Sequence, residues 1–290
     1  MKIGIDIGGS HITVGLIDNE YNILKLMQAD IKSKKISEIE DYIIKVVKEL
    51  MEENKIEEIG IALAGVVENG IIVNAVNLGL EQYNLAESLN KQLDIPIKIC
   101  NDVKAAAIAE KRQGCLKEYN KSVFLTLGTG IGAAILNETE NIEACEAGHI
   151  VIETDGIMCN CGRKGCWEKY ASMKAFKENL NKDLGCEQKL SSNEILEMLL
   201  KNKNSKEKND IIEYNIQKYI EYLSIGIVNL INIYKPEAIG IGGSFIYFEE
   251  IFLERLKAKV KEKNMLFKHK KNIEIKIAKL GNNAGMMGVI

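Results

Sequence analysis

The chain has 290 residues, 46% hydrophobic and 27% charged, enough for one large or two ordinary domains with sizeable cores. Its 38 basic and 41 acidic side chains leave a net charge of −3, which argues against a polybasic nucleic-acid or membrane-surface protein. No apolar stretch approaches the ~20 residues that span a bilayer, and Asp6 interrupts the N-terminus where a secretory leader would be apolar. A cytoplasmic, reducing location is expected, so the seven cysteines read as thiols or metal ligands rather than as disulfides.

In chain order, residues 2–7 (KIGIDI) alternate as a strand and Gly8-Gly9-Ser10 forms a turn. Ile12 to Ile17 is a second strand and Tyr21 to Asp30 a third, an antiparallel start. Ser37 with Glu40 three positions on has capping-box spacing. Ile39, Tyr42, Ile43, Val46, Val47 and Leu50 then form one face of a helix over 37–54. A buried-type strand follows at 59–64, a helix at 86–93, a strand at 97–100 and an Ala-rich helix at 102–112. From residue 122 the opening device repeats: strand 123–127, glycine turn 128–132, strand 133–136. Residues 137–168 read as loop-rich. Helices are expected at 171–183, 192–201 and 207–234, a strand at 238–241, a helix at 249–263, a strand at 273–278 and a short helix at 283–289. Strands alternating with helices indicate an α/β protein. The repeat puts a domain boundary near residue 115: domains 1–115 and 116–278, with 279–290 packing back on the first.

Three glycine turns end strands: Asp6-Ile7-Gly8-Gly9-Ser10, Gly128-Thr129-Gly130-Ile131-Gly132 and Gly240-Ile241-Gly242-Gly243-Ser244. Such turns let backbone N–H groups approach a phosphate, with Ser10, Thr13, Thr129 and Ser244 as hydroxyl donors. Taken singly, each also suits a plain turn. None is a Walker A or a dinucleotide fingerprint. Asn101-Asp102, between a strand and a helix, reads either as an N-cap or as a carboxylate placed for proton transfer.

His149, Cys159, Cys161 and Cys166 have the composition of a closed Cys₃His structural zinc site, with Gly156, Gly162 and Gly165 allowing sharp backbone. A redox C-x-C pair or unrelated buried thiols are the alternatives. Glu146 and His149 share one helical face, and Glu146 and Glu168 flank the knot, where they either bind a polyol or sit in solvent as surface charges.

Together, DIGGS (6–10), NLG (77–79), ND (101–102), LGTGIG (127–132), E-x-G-H (146–149), C-x-C-G-x-x-G-C-x-E (159–168) and GIGGS (240–244) resemble the ROK family of repressors, open reading frames and sugar kinases. The resemblance runs from Gly4 to Met287. It implies the actin, sugar kinase and heat-shock ATPase fold: two ribonuclease-H-like α/β domains flanking a cleft. It further implies an ATP-dependent hexose kinase acting at O6 of glucose or a close relative, with Mg²⁺ accompanying ATP, structural Zn²⁺ and a homodimer. Carried over by position, Asp102 is the general base. Asp6, Gly8, Gly9, Ser10 and Thr13, then Gly128, Thr129, Gly130 and Gly132, then Gly242, Gly243 and Ser244 bind ATP. Gly65, Asn77, Asn101, Asp102, Glu146, His149 and Glu168 bind sugar, His149 serving zinc with one ring nitrogen and sugar with the other. The chain departs from the family's pattern at His11, Ala64-Gly65-Val66, Lys104, Cys145 and Leu80. Leu80 stands where a Trp is common, a loss expected to open the sugar pocket. An N-acetylmannosamine kinase is the runner-up. A sugar-sensing repressor would need a helix-turn-helix, and none is expected ahead of a first strand that begins at residue 2.

Overall fold

The computed structural model describes residues 1–9, 11–31, 35–137, 142–186, 188–201, 205–264 and 273–290. The chain divides into two compact units, Met1–Lys117 with Lys279–Ile290, and Glu118–Ala278.

The first unit opens with β1 (Lys2–Ile7), β2 (His11–Ile17) and β3 (Ile23–Asp30), an antiparallel meander. There follow α1 (Ile36–Glu53), β4 (Glu58–Leu63), three short strands β5 (Val66–Glu68), β6 (Ile71–Ala75) and β7 (Leu80–Tyr83), then α2 (Leu85–Leu93), β8 (Ile97–Asn101) and α3 (Asp102–Arg112). The main sheet has the order β3-β2-β1-β4-β8, with β4 parallel to both β1 and β8. Ile3, Ile5, Ile7, Ile59 and Ile61 are buried in it, and α1 covers it with Ile39, Ile43, Val46, Val47 and Leu50.

Helix α1 does not start as its sequence suggests. Lys35 is the N-cap and makes no side-chain cap, Ser37 lies inside the helix, and Glu40 instead accepts a hydrogen bond from the Tyr83 hydroxyl at 2.7 Å. Tertiary pairing to β7 outcompeted the local capping box. Tyr42 is only half-buried.

The second unit repeats the plan. It contains β9 (Ser122–Leu127), β10 (Ile131–Leu136), β11 (Ile142–Cys145), α4 (Glu168–Ala171), α5 (Met173–Asp183), α6 (Ser192–Lys201), α7 (Lys206–Tyr234), β12 (Ala238–Gly242), α8 (Glu249–Lys263) and β13 (Glu274–Ile277). The sheet order is β11-β10-β9-β12-β13: an antiparallel meander, then parallel strands, as in the first unit. The segment expected to be loop therefore contains β11 and a 3-10 turn, Ala147–His149. The 29-residue α7 is capped by Ser205, whose Oγ accepts the Lys208 N–H, and packs on α8 with Tyr219 against Phe252, beside Phe245 and Phe248 of the 3-10 segment that precedes α8. The Phe176, Tyr219 and Phe252 rings stand 5.0–5.1 Å apart, in the range where tilted and edge-on aromatic pairs are favourable.

The chain then returns to the first unit in a short helix, α9 (Ala284–Gly288). Its bed is a row of register-paired glycines, Gly15, Gly4 and Gly60, on β2, β1 and β4. A Cβ on Gly15 would come within 2.7 Å of the Met286 sulfur, and one on Gly60 within 2.6 Å of the Val289 carbonyl. Larger residues in that row would push the C-terminal segment off the sheet. Among the described residues no helix is long and apolar enough to cross a membrane.

Candidate functional site

In the first unit, the ends of β1 and β8 bring two carboxyl groups together. Asp6 ends on the strand face that meets Gly285, where a Cβ would lie 2.6 Å from its Oδ2. Burial, and then the Asp102 carboxyl, push the Asp6 pKa up to about 7. Asp102 is the first residue of α3 and is half-buried. Its Oδ1 accepts the Val103 N–H at 2.9 Å. Burial raises its pKa, partly offset by backbone N–H groups.

Asn101 satisfies the capping reading in full. Its Oδ1 accepts the Lys104 N–H at 3.0 Å, and its Nδ2 donates to the Gly65 carbonyl, also at 3.0 Å. The side chain thereby fixes the Gly65 loop beside the start of α3. The first glycine turn is closed by the Gly8 N–H donating to the His11 carbonyl at 2.9 Å, and a Cβ on Gly9 would meet nothing. Ser10 lies outside the described residues. Thr13 pairs with Asp6 across the β1–β2 ladder. His11 lies 3.2 Å from the Asp30 carboxylate. Asn77 is exposed on a 3-10 turn that ends at Gly79 in the left-handed region. Leu80 is 8% exposed and belongs to the first unit's core.

In the second unit, the Gly128 N–H donates to the Gly130 carbonyl at 3.0 Å, and the Lys174 N–H to the Gly128 carbonyl at 3.1 Å. Gly132 lies beyond this turn, within β10 and opposite Thr126. Gly242 ends β12. Gly243 has φ +73, with its Cα against the Leu127 backbone, and the Ser244 hydroxyl donates to the Leu127 carbonyl at 3.4 Å. The second and third turns are thus bound to each other. Gly128, Thr129 and Ser244 line a cavity of about 290 Å³ that also takes in Lys174, Lys177 and Lys189. Burial lowers the Lys177 pKa, and its amino group donates to the Ser192 hydroxyl at 2.6 Å. Sequence reasoning missed these three lysines. The available signal was the three-residue spacing of Lys174 and Lys177 on one face of α5.

The His–Cys group also assembles in the second unit. One donor atom from each of His149, Cys159, Cys161 and Cys166 lies within 4.8 Å of the others. The His149 Nδ1 to Cys159 Sγ distance is 3.6 Å and the Cys161 to Cys166 Sγ distance 3.5 Å. Donors bonded to one tetrahedral zinc lie ~3.3–3.8 Å apart, so the set fits that ion. Gly162 and Gly165 have φ of +86 and +77, as a sharp knot requires. Gly156 leaves room for the Tyr170 hydroxyl, which an added Cβ would meet first and which accepts the Ile157 N–H at 2.6 Å. The Arg163 backbone N–H, the largest influence, draws the Cys161 thiol down to about 6. The other His149 nitrogen, Nε2, faces the exposed Glu146 carboxylate at 3.8 Å. Glu168 is no free surface charge. It lies over Gly130, and its Oε2 accepts the Ile131 N–H at 3.2 Å. Between Cys166 and Glu168, Trp167 is fully buried, and its indole N–H donates to the Tyr222 carbonyl at 2.9 Å. Cys145, half-buried on β11, pairs with Ala133.

The sequence pattern of the ROK family matches residues 2–290. Over 99% of its length the chain is 29% identical to a xylose repressor from Caldicellulosiruptor bescii, of which it covers 76%. Over the same share it is 27% identical to a glucokinase from Streptomyces coelicolor, covering 96% of it. A ROK glucokinase from Streptomyces griseus, solved with glucose and AMPPNP, superposes with a TM-score of 0.84 at 24% identity, over 99% of this chain and 97% of that one. A proposed N-acetylmannosamine kinase from Listeria monocytogenes gives 0.81 at 23% identity, over 99% and 96%. These structural likenesses are of fold, the α/β ATPase fold of the actin and hexokinase type.

Proposed function

We propose that this chain, which belongs to the ROK family, is an ATP-dependent hexose kinase that transfers a phosphoryl group to O6 of glucose or a close relative. The observation that carries the reading is Asp102: a carboxyl group at the start of α3, made more basic by burial and beside a second carboxyl group, Asp6. A carboxylate of raised pKa is a better acceptor for a hydroxyl proton than an exposed one.

On this reading Asp102 orients the attacking hydroxyl and takes its proton late in the transfer. Asn101 holds Gly65 in place at the sugar side. Glu146, His149 and Glu168 contact sugar hydroxyls, with Asn77 on the exposed turn. Backbone N–H groups of the glycine turns bind phosphate, and Lys174, Lys177 and Lys189 add positive charge around Gly128, Thr129 and Ser244. A carboxylate is the hard oxygen donor that suits Mg²⁺. Asp6 would help hold the ion that accompanies ATP, leaving Asp102 free as the base, and the ion would offset charge on the β- and γ-phosphates. His149, Cys159, Cys161 and Cys166 would hold zinc as a closed structural site, which positions Glu168. A cytoplasmic homodimer completes the proposal.

The second reading is a sugar sensor, favoured by the likeness to a xylose repressor. Sensing requires sugar binding but no base. Asp102 therefore separates the two, and the test is a screen of hexoses with ATP and Mg²⁺, read by coupled ADP release. We expect turnover with glucose or a close relative, and Asp102→Asn to reduce kcat at least ~10²-fold while sugar binding persists. Sugar binding with no ADP release from any hexose would replace the kinase reading with the sensor.

A further inference from the structure

Glu110, near the end of α3, is fully buried, and no step of the proposed reaction uses it. Its carboxyl oxygens accept three backbone N–H groups: Oε2 from Cys115 at 2.7 Å, and Oε1 from Lys279 and from Leu280, each at 2.8 Å. The Glu110 carbonyl accepts from Gly114 and Leu116 at 3.0 and 3.1 Å. Gly114 lies so close that an added Cβ would meet the Glu110 carboxyl.

These donors are more than 160 residues apart in sequence, yet they share a position in the chain path. The chain leaves the first unit after Lys117 and re-enters it at Lys279. One carboxyl group therefore ties down the last residues before departure and the first two after return. Ending α3 requires only the first of these. A water or a hydroxyl could satisfy either segment by itself, whereas a forked acceptor satisfies both and fixes the distance between them. The neighbouring Arg112 adds to the tie, donating to the Met287 and Ile290 carbonyls at 3.2 and 3.0 Å. The helix that begins with Asp102 thus ends in the residues that hold both chain crossings.

We propose that Glu110 is a positioning residue: it clasps the two crossings into one register against the helix that carries the general base. The kinetic part of this proposal rests on the kinase reading; the clasp itself does not.

The experiment compares amide hydrogen exchange and steady-state kinetics in the full-length wild type, Glu110→Gln and Val47→Ala. Glutamine keeps one acceptor, but its amino group faces the N–H donors of the other segment. Val47→Ala, in the α1 core face, controls for lost stability. In Glu110→Gln we expect the Cys115, Lys279 and Leu280 amides to exchange about tenfold faster relative to those of Ala105–Ala109. We also expect kcat to fall several-fold with the KM for ATP unchanged. Val47→Ala should show neither selective effect. If Glu110→Gln does not fold, Glu110→Asp, one methylene shorter, reaches one segment only and is read in the same way. Unchanged exchange ratios overturn the clasp. Selective exchange with wild-type kcat overturns its role in the reaction. A wild type without kinase activity overturns the kinetic role together with the kinase reading, and the exchange ratios still decide the clasp.

Discussion

Asp6 has a consequence for stability whose sign is fixed by its surroundings. Its pKa is about 7 in the folded chain against 3.8 for an ordinary aspartate, through burial first and the Asp102 carboxyl second. The folded state therefore binds this proton more tightly than the unfolded state. The resulting stabilisation is fully present below about pH 4 and is lost as the pH rises through about 7. Its size is on the order of 4 kcal/mol. Glu58, Glu213 and Glu221 have lowered pKa values, so their contribution is lost only as pH falls below the usual carboxylate range. Between about pH 5 and 7.5 the raised pKa values of Asp6 and Asp102 lower stability as pH rises, while Cys161, drawn down to about 6, opposes them, so the pH trend is read as the difference between the wild type and Asp6→Asn. In chelator the thermal midpoint of the wild type relative to Asp6→Asn should drop across that window, and Mg²⁺ with nucleotide should restore it at about pH 7.5. A wild-type midpoint that rises with pH relative to that of Asp6→Asn would contradict the assignment. Such a shift could not be read from DIGGS alone, because it comes from Gly285 and Asp102 closing over the carboxyl. Asn101 was legible as a cap from its place before a helix. That its other amide atom holds Gly65 was not, since 36 residues separate them.

Among the elements, the long ones declared themselves. Helices α3 and α8 begin and end within the bounds their sequences suggest, α3 capped by the Asn101 side chain and α8 without a side-chain cap. Strands β5, β6 and β7 did not, because three to five residues carry too little alternation and exist by pairing with one another. The Cys–His knot was legible because all its donors fall within 18 residues, so local chain geometry alone can bring them together. Its attachment was not. Trp167, the chain's single tryptophan, ties the knot to α7 through Tyr222. We expect about one zinc per chain in protein purified without chelator. Removing it, or Cys161→Ser, should shift the Trp167 emission, lower the thermal midpoint and weaken sugar affinity together, because Glu168 follows Cys166 by two residues and carries the Ile131 contact. Metal analysis that finds no zinc would refute the site, and unchanged emission in a zinc-free chain would refute the coupling.

For the whole molecule, the kinase reading leaves open which sugar would be the substrate. An N-acetyl group at C2 needs a pocket that a hydroxyl does not. Leu80, the position expected to open one, lies in the first unit's core, and the glucose reading predicts that kcat/KM favours glucose over N-acetylmannosamine. A preference above tenfold for the latter, ~1.4 kcal/mol in transition-state binding, would reverse the assignment while leaving the kinase reading intact. The α/β class, the repeated strand–turn–strand device and the metal-donor set were determined by the sequence itself, because each depends on residues close together in the chain, where spacing dictates geometry. Only the tertiary structure decided the glycine row beneath α9, the lysines around Gly128, the hold of Glu168 on Ile131 and the three donors of Glu110. In each of these one partner is backbone or an unremarkable surface residue brought from a distant segment, and a backbone N–H carries no mark in the sequence that says which side chain will accept it.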